Sequence, residues 1–218
     1  MIDPVAPDGS SRRQRARRGE GDRLREEILA AAEDLLLETG DAEKVSIRAL
    51  ADAVGVTPPS IYLHFADKAA LLRTVCENRF AELEAALVEA APPDEAPLDV
   101  LRRKGRAYVR FGTEHPEHYR LLFMLRHEGG FEDFPVGAGA FLQLVQDVQH
   151  YMDAGVYAPG DAALVATSLW TTMHGITSLL ISLPNFPWPD VDALVDHTMD
   201  VQARGLAVDS SGQGGDRS

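Results

Sequence analysis

The side chains best suited to chemistry stand in the segment VGVTPPSIYLHFADK, residues 54–68. Ser60 and Tyr62 bring hydroxyls, the second at the end of a rigid ring, and His64 adds a ring N–H. Such groups hydrogen-bond phosphate oxygens or the edges of bases. Pro58 and Pro59 stand just before them, although the residues that follow read as helix. The first turn of a helix has amide groups without internal partners, so proline loses nothing there. Thr57 is a suitable N-cap. Pro59 disfavours helical geometry at Pro58, which predicts Pro59 as the first fully helical residue. Ser60, Tyr62 and His64 then fall on the polar side, with Ile61 and Phe65 facing inward. Lys68 can reach a phosphate from the next helix, and Arg48 can do the same or bind guanine bidentately.

Little else suggests reactivity. His115, Glu117 and His118 invite comparison with a metal site or an acid–base cluster. Pro116 interrupts the register between them, however, and no further ligand stands at a recognisable spacing. The sequence has no Gly-rich phosphate loop, nucleophile elbow or paired-carboxylate motif. Neither catalysis nor a metal or other cofactor is therefore expected. The single cysteine, Cys76, excludes an internal disulfide and fits a reducing cytoplasm. The basic N-terminal cluster precedes no apolar run, so no signal peptide is expected.

The periodicity that must position these groups is helical throughout. Leu24, Ile28, Ala31 and Leu35 recur at three- and four-residue steps from Asp22, and Gly40 gives a stop. Ser46 caps a second helix with Ile47, Leu50, Ala51 and Val54 on its apolar face, and Gly55 suits a left-handed position after it. A long helix runs from about Asp67 to before Pro92, with Leu72, Cys76, Phe80, Leu83 and Leu87 on one stripe. Further helices are predicted near 95–114, 116–127, 138–154, 160–183 and 190–206. The stretch from Ala162 to Leu183 lacks Asp, Glu, Lys and Arg. Its Ser, Thr and His content favours a helix buried in protein over a membrane span. The expected fold is all-α: an N-terminal three-helix helix-turn-helix domain and a C-terminal helical domain. The boundaries are a disordered basic arm over 1–21, the helix-turn-helix over 22–66, the helical domain over 67–206 and a disordered tail over 207–218.

Charge is unevenly spread. The 218 residues carry a formal −13, yet residues 1–19 hold five arginines against Asp3 and Asp8, a net of +3. The rest of the chain thus carries −16. Arg15, Arg17 and Arg18 in this arm are candidate phosphate contacts. A solvated tail fits the same composition.

The segment VSIRALADAVGVTPPSIYLHFADKAALL, Val45 to Leu72, resembles the DNA-binding segment of the tetracycline-repressor (TetR) family of transcriptional regulators. IYLHFADKAALL carries its most specific features, an aromatic residue, Phe65, and then an acidic–Lys–x–x–Leu–Leu run. The resemblance implies DNA contacts at Thr57, Ser60, Tyr62, His64 and Lys68. Many members place a basic residue where Pro58 stands, so Pro58 occupies a contact position without a charge. The arginine arm would then supply much of the phosphate contact, entering the minor groove as homeodomain arms do.

SLWTTMHGITSLL, with Trp170, His174 and Gly175, resembles the Trp–x–x–x–His–Gly class of TetR ligand-binding domains, as does HPEHYRLLF from His115. This implies that the C-terminal helical domain is a ligand-binding and dimerisation domain, with a small effector, a homodimer and double-stranded DNA with a palindromic operator as partners. The helix over 160–183 has a bulky side of Leu169, Trp170, Met173, Ile176 and Leu180. Its small side of Ser168, Thr171, Gly175, Ser178 and Ser182 suits close approach of a partner. Tyr108, Phe111, Tyr119, Phe123, Met124, Phe141, Trp170, Met173 and His174 are candidate lining residues for a lipophilic or aromatic effector. Plain core is the alternative for each of them. The expected function is a TetR-like regulator, a cytoplasmic repressor released from DNA by its effector. The alternative is a helical dimeric adaptor without sequence-specific DNA binding.

Overall fold

A computed structural model describes residues 20–92, 95–123 and 138–207. Among these the chain forms α1 (Glu20–Thr39), a 3-10 turn (Ala42–Lys44), α2 (Ile47–Val54), α3 (Pro58–Tyr62) and α4 (Lys68–Glu89). It continues with α5 (Pro97–Glu114), α6 (Pro116–Phe123), α7 (Ala138–Asp153), α8 (Ala162–Ser182) and α9 (Val191–Leu206). The one β-type pairing among the described residues is an isolated bridge between Tyr157 and Ala207. Arg15, Arg17, Arg18 and Met124 lie outside the described residues, as do most of the predicted arm and tail.

Local chemistry sets most boundaries. Ser46 Oγ accepts from the Ala49 amide at 3.1 Å and starts α2, which ends at Gly55 with φ +72°. A residue with a Cβ pays about 1 kcal/mol or more for that left-handed conformation. Asp67 starts α4 by accepting from the Ala70 amide at 2.7 Å. Asp161 and Asp190 do the same for α8 and α9.

The start of α3 corrects the sequence expectation. Pro58 is already helical at the first position, and Pro59 follows inside the first turn. Thr57, extended at φ −87° and ψ 148°, is the cap by backbone alone, its carbonyl accepting from the Ser60 amide at 2.8 Å. The amides at the first two helical positions are both proline nitrogens, so no N–H there asks for a side-chain cap. The Thr57 hydroxyl pairs instead with Ser60 Oγ at 2.9 Å.

Two apolar clusters share α4. Ile28, Leu36, Leu50, Ile61, Phe65, Leu71 and Val75 join α1–α3 and the first turns of α4, with Leu121 of α6 added. Phe80, Leu83, Tyr108, Tyr119, Leu169, Met173, Val195 and Met199 belong to the second cluster, built from α4–α9. The rigid α4 rod therefore runs through both clusters, and Cys76 packs against each. Burial pushes the Cys76 thiol up to about 11, with Glu33 and Glu77 adding to the effect. That keeps it a protonated, unreactive core group.

Helix α8 qualifies by length and composition as a membrane span, yet only 22% of its most apolar window is buried within the chain. The buried stripe is Ala162, Ala166, Leu169, Met173 and Thr177. The expectation of a helix buried in protein thus holds for one side within a single chain. Leu164, Ser168, Thr171 and Ser182 are exposed, and Gly175 and Ser178 half-buried, along a second stripe at alternating three- and four-residue steps.

Candidate nucleic-acid interface

The α2–turn–α3 unit is fixed from below and open above. Ile61 is fully buried and Phe65 nearly so, which locks α3 to the head. The Arg25 guanidinium lies over the Phe65 ring, 4.9 Å from its centroid. Outward, Thr57, Pro58, Pro59 and Tyr62 are exposed, with Ser60 and His64 half-buried. Tyr62 is 52% exposed and Leu63 reaches 84%. Arg48 is also exposed, and among the described residues no carboxylate lies within ion-pair distance of it. The predicted set of Arg48, Thr57, Pro58, Ser60, Tyr62 and His64 therefore has the exposure that contact with DNA requires.

Lys68 is placed differently from the others. Its ammonium donates to the Ala42 carbonyl at 3.0 Å and stands 4.0 Å from Glu43. It ties the start of α4 to the 3-10 turn, and a phosphate would have to share its remaining N–H donors. Leu63 is the position that sequence reasoning missed. Its apolar type reads as core, but α3 ends at Tyr62 and leaves it outside. An exposed aliphatic group beside Tyr62 suits contact with a thymine methyl.

The predicted effector-side residues form a connected aromatic network in the second cluster. Tyr108, Phe111, Tyr119 and Met173 are buried, while Phe123, Phe141, Trp170 and His174 are half-buried. Tyr119 Oη lies 2.6 Å from His174 Nδ1 and 3.4 Å from Tyr108 Oη, which accepts from Trp170 Nε1 at 3.3 Å. Rings of Phe123 and His174 meet at 5.3 Å, and Phe141 and Trp170 at 6.0 Å. Phe111 stands apart, facing His115 at 6.0 Å. Burial holds the His174 ring below its ordinary imidazole value and pushes Tyr108 up to about 12, with Tyr119 raised further. The hydroxyls thus stay protonated and the imidazole neutral, and the tautomer of the His174 ring sets which of Tyr119 Oη and His174 Nδ1 donates to the other. A cavity of about 10 Å³ lies elsewhere in the second cluster, among Leu101, Leu144, Val148, Tyr157 and Leu169, with room for one water at most.

A helix-turn-helix with an open recognition face, mounted on a helical second cluster, defines a DNA-binding regulatory architecture. The model of bacterial regulatory proteins of the tetR family matches residues 28–75, and that of the tetracyclin repressor-like C-terminal domain matches residues 101–202. A solved protein of unknown function from Rhodococcus sp. RHA1 is 31% identical, with 85% of this chain and 96% of that one covered at a TM-score of 0.69. A TetR-family transcription regulator from Marinobacter aquaeolei VT8 shares the fold at 19% identity, covering 86% and 97% with a TM-score of 0.69. A regulatory protein of the tetR family from Rhodococcus RHA1 does so at 19% identity, 84% and 97% coverage and 0.64. No functionally curated protein matches the chain. The chain belongs to the TetR family: it is a DNA-binding transcriptional regulator and not an enzyme.

Proposed function

We propose that this regulator works as a cytoplasmic homodimeric repressor, released from a palindromic operator by a small lipophilic or aromatic effector. The observation that carries the reading is the outward face of α3, where Tyr62 and Leu63 are exposed above a buried Ile61. In a dimer, two such helices about 34–36 Å apart read successive major grooves. The partner surface is the stripe of α8 through Leu164, Ser168, Thr171, Gly175, Ser178 and Ser182, flanked on α9 by exposed Val201. Small side chains at three- and four-residue steps let a second α8 approach closely.

The effector enters among Phe123, Phe141, Trp170 and His174, the half-buried part of the network. Repacking these rings moves α4, because Phe80 on α4 meets Phe123 at 5.5 Å. Helix α4 then carries the motion to the head, so that effector and DNA select different arrangements. Shifting such a balance from 1:99 to 99:1 takes about 5.5 kcal/mol of differential binding. Arg15, Arg17 and Arg18 add phosphate contacts from the arm.

A gel shift on fragmented genomic DNA, with and without candidate hydrophobes, tests the reading. Retarded fragments that a hydrophobe releases support it. Absence of any sequence-selective shift contradicts it in favour of an adaptor. Deleting residues 1–19 should flatten the salt dependence by about 0.9 per lost phosphate contact in the log–log slope. An unchanged slope contradicts the role of the arm.

A further inference from the structure

The junction of α1, α4 and α6 holds polar groups that neither the DNA face nor the effector network uses. Pro116 opens α6 and leaves His115 one residue before it, so His115 and His118 come together rather than apart. Their rings stack at 5.3 Å with planes 18° apart. One donor atom from each of His115, Glu117 and His118 lies within 4.8 Å of the other two. Behind them, His118 Nε2 stands 3.2 Å from Glu33 Oε1 on α1, and Arg79 Nε on α4 stands 3.3 Å from the same oxygen. Yet His118 Nδ1, Glu33 Oε1 and Arg79 Nε are all buried without a hydrogen-bond partner. Glu33 Oε1 and Arg79 Nε still face each other as an ion pair, so of the three His118 Nδ1 is the atom with neither a hydrogen-bond nor an ion-pair partner among the described residues. Buried polar atoms are almost always satisfied, and this one calls for an occupant.

We infer that His115, Glu117 and His118 form a site for a borderline divalent transition ion of the zinc type, with Glu33 as the positioning residue behind His118. Two imidazoles and one carboxylate suit such an ion and leave one coordination position open to water. A metal on Nδ1 fixes the ring proton on Nε2, the nitrogen that faces Glu33. A small rotation of the ring then completes the carboxylate–histidine–metal arrangement common at such sites. The buried Nδ1 of His118 thereby gains its partner. Glu33 belongs to α1 of the DNA-binding head and His118 to α6, so occupancy stiffens the contact between head and body. None of its three ligands is a predicted effector residue, although Phe111 faces His115 and Tyr119 follows His118 in α6.

Cobalt(II) and zinc titrations of the full-length protein test this. The expected result is one equivalent bound per chain, with cobalt giving the visible absorption of a low-coordinate nitrogen and oxygen site. The exposed substitution Glu117→Gln should weaken binding at least tenfold, and His115→Gln with His118→Gln should abolish it. Glu33→Gln should retain the site but lose about 10–100-fold in affinity, as removal of such a supporting carboxylate does. Absence of binding to the wild-type protein overturns the inference. So does binding that survives the double histidine substitution, or that Glu117→Gln leaves unchanged. Equal affinity in Glu33→Gln overturns the positioning role. Far-UV circular dichroism checks that each variant stays helical.

Discussion

Substituting alanine for Gly112 probes the crossing that sets the register of the effector network. A Cβ at Gly112 would stand 2.3 Å from Thr177 Cγ2 and 2.8 Å from Tyr119 Cδ2. Thr177 and Tyr119 are both fully buried, so neither has free space to retreat into. Overpacking of this kind costs about 1–3 kcal/mol, and two blocked neighbours place it at ~2–3. For a chain of this size that lowers Tm by roughly 4–12 °C. Adding Thr177→Ser removes the closest methyl and keeps a hydroxyl for the Met173 carbonyl, which the Thr177 hydroxyl reaches at 2.8 Å. The double substitution should recover part of the loss. Gly205 in α9 has nothing within 4 Å of a built Cβ, so Gly205→Ala should raise stability by about 0.5–1 kcal/mol. Differential scanning calorimetry at fixed protein concentration reads all three. A Gly112→Ala protein that melts within a degree of the wild type would refute the close approach of α5 to α8. The Tyr119–His174 contact that rests on it would fall too.

Tyr62→Phe and Leu63→Ala remove exposed groups, so Tm should stay within about 1 °C while operator affinity falls by roughly 1 kcal/mol each. Fluorescence anisotropy and calorimetry on the same samples check both halves. His174 has a folded-state value held below its ordinary imidazole value by burial. The unfolded state therefore binds the proton more readily, and the His174 contribution is fully present above the unfolded value near 6.5 and lost as pH falls through the folded one. Replacing His174 with Asn should flatten the fall of Tm between pH 7 and 5, and an identical slope would contradict a half-buried neutral imidazole. Leu164→Glu puts a charge on the α8 stripe at a position 68% exposed in the single chain. Sedimentation velocity should show monomers with unchanged helicity, and an intact dimer would place the partner elsewhere.

Much of this architecture is legible in the sequence because short-range chemistry governs it. Ser46 with Ala49, Gly55 and Asp67 with Ala70 are contacts within three residues, and they fix the ends of α2 and the start of α4. The polar side of α3 follows from the same local geometry, since buried Ile61 and Phe65 dictate which way Tyr62 points. Missed features depend on partners far along the chain. Lys68 bonds to Ala42, 26 residues away, so its spacing alone reads as a free phosphate ligand. His118 meets Glu33, which Arg79 also pairs with, only because α6 folds back on α1 and α4. The helix end at Tyr62 exposes Leu63, whose residue type points to core. Pro58 joins α3 although the following proline disfavours helical geometry before it, because its own ring holds φ near the helical value and it has no N–H to satisfy. On α8 the split between bulky and small sides is readable from 3.6-residue periodicity, and the exposed stripe follows it.

Selection of bound duplexes from a random pool tests the central claim most directly, run in parallel with wild-type protein and a Tyr62→Ala, His64→Ala variant. Wild type should enrich a palindrome whose half-sites lie one helical turn apart. The variant, with unchanged circular dichroism and Tm, should lose that enrichment while keeping weak binding to any DNA. The same palindrome enriched equally by both proteins would contradict the assignment of α3 as the element that reads the bases.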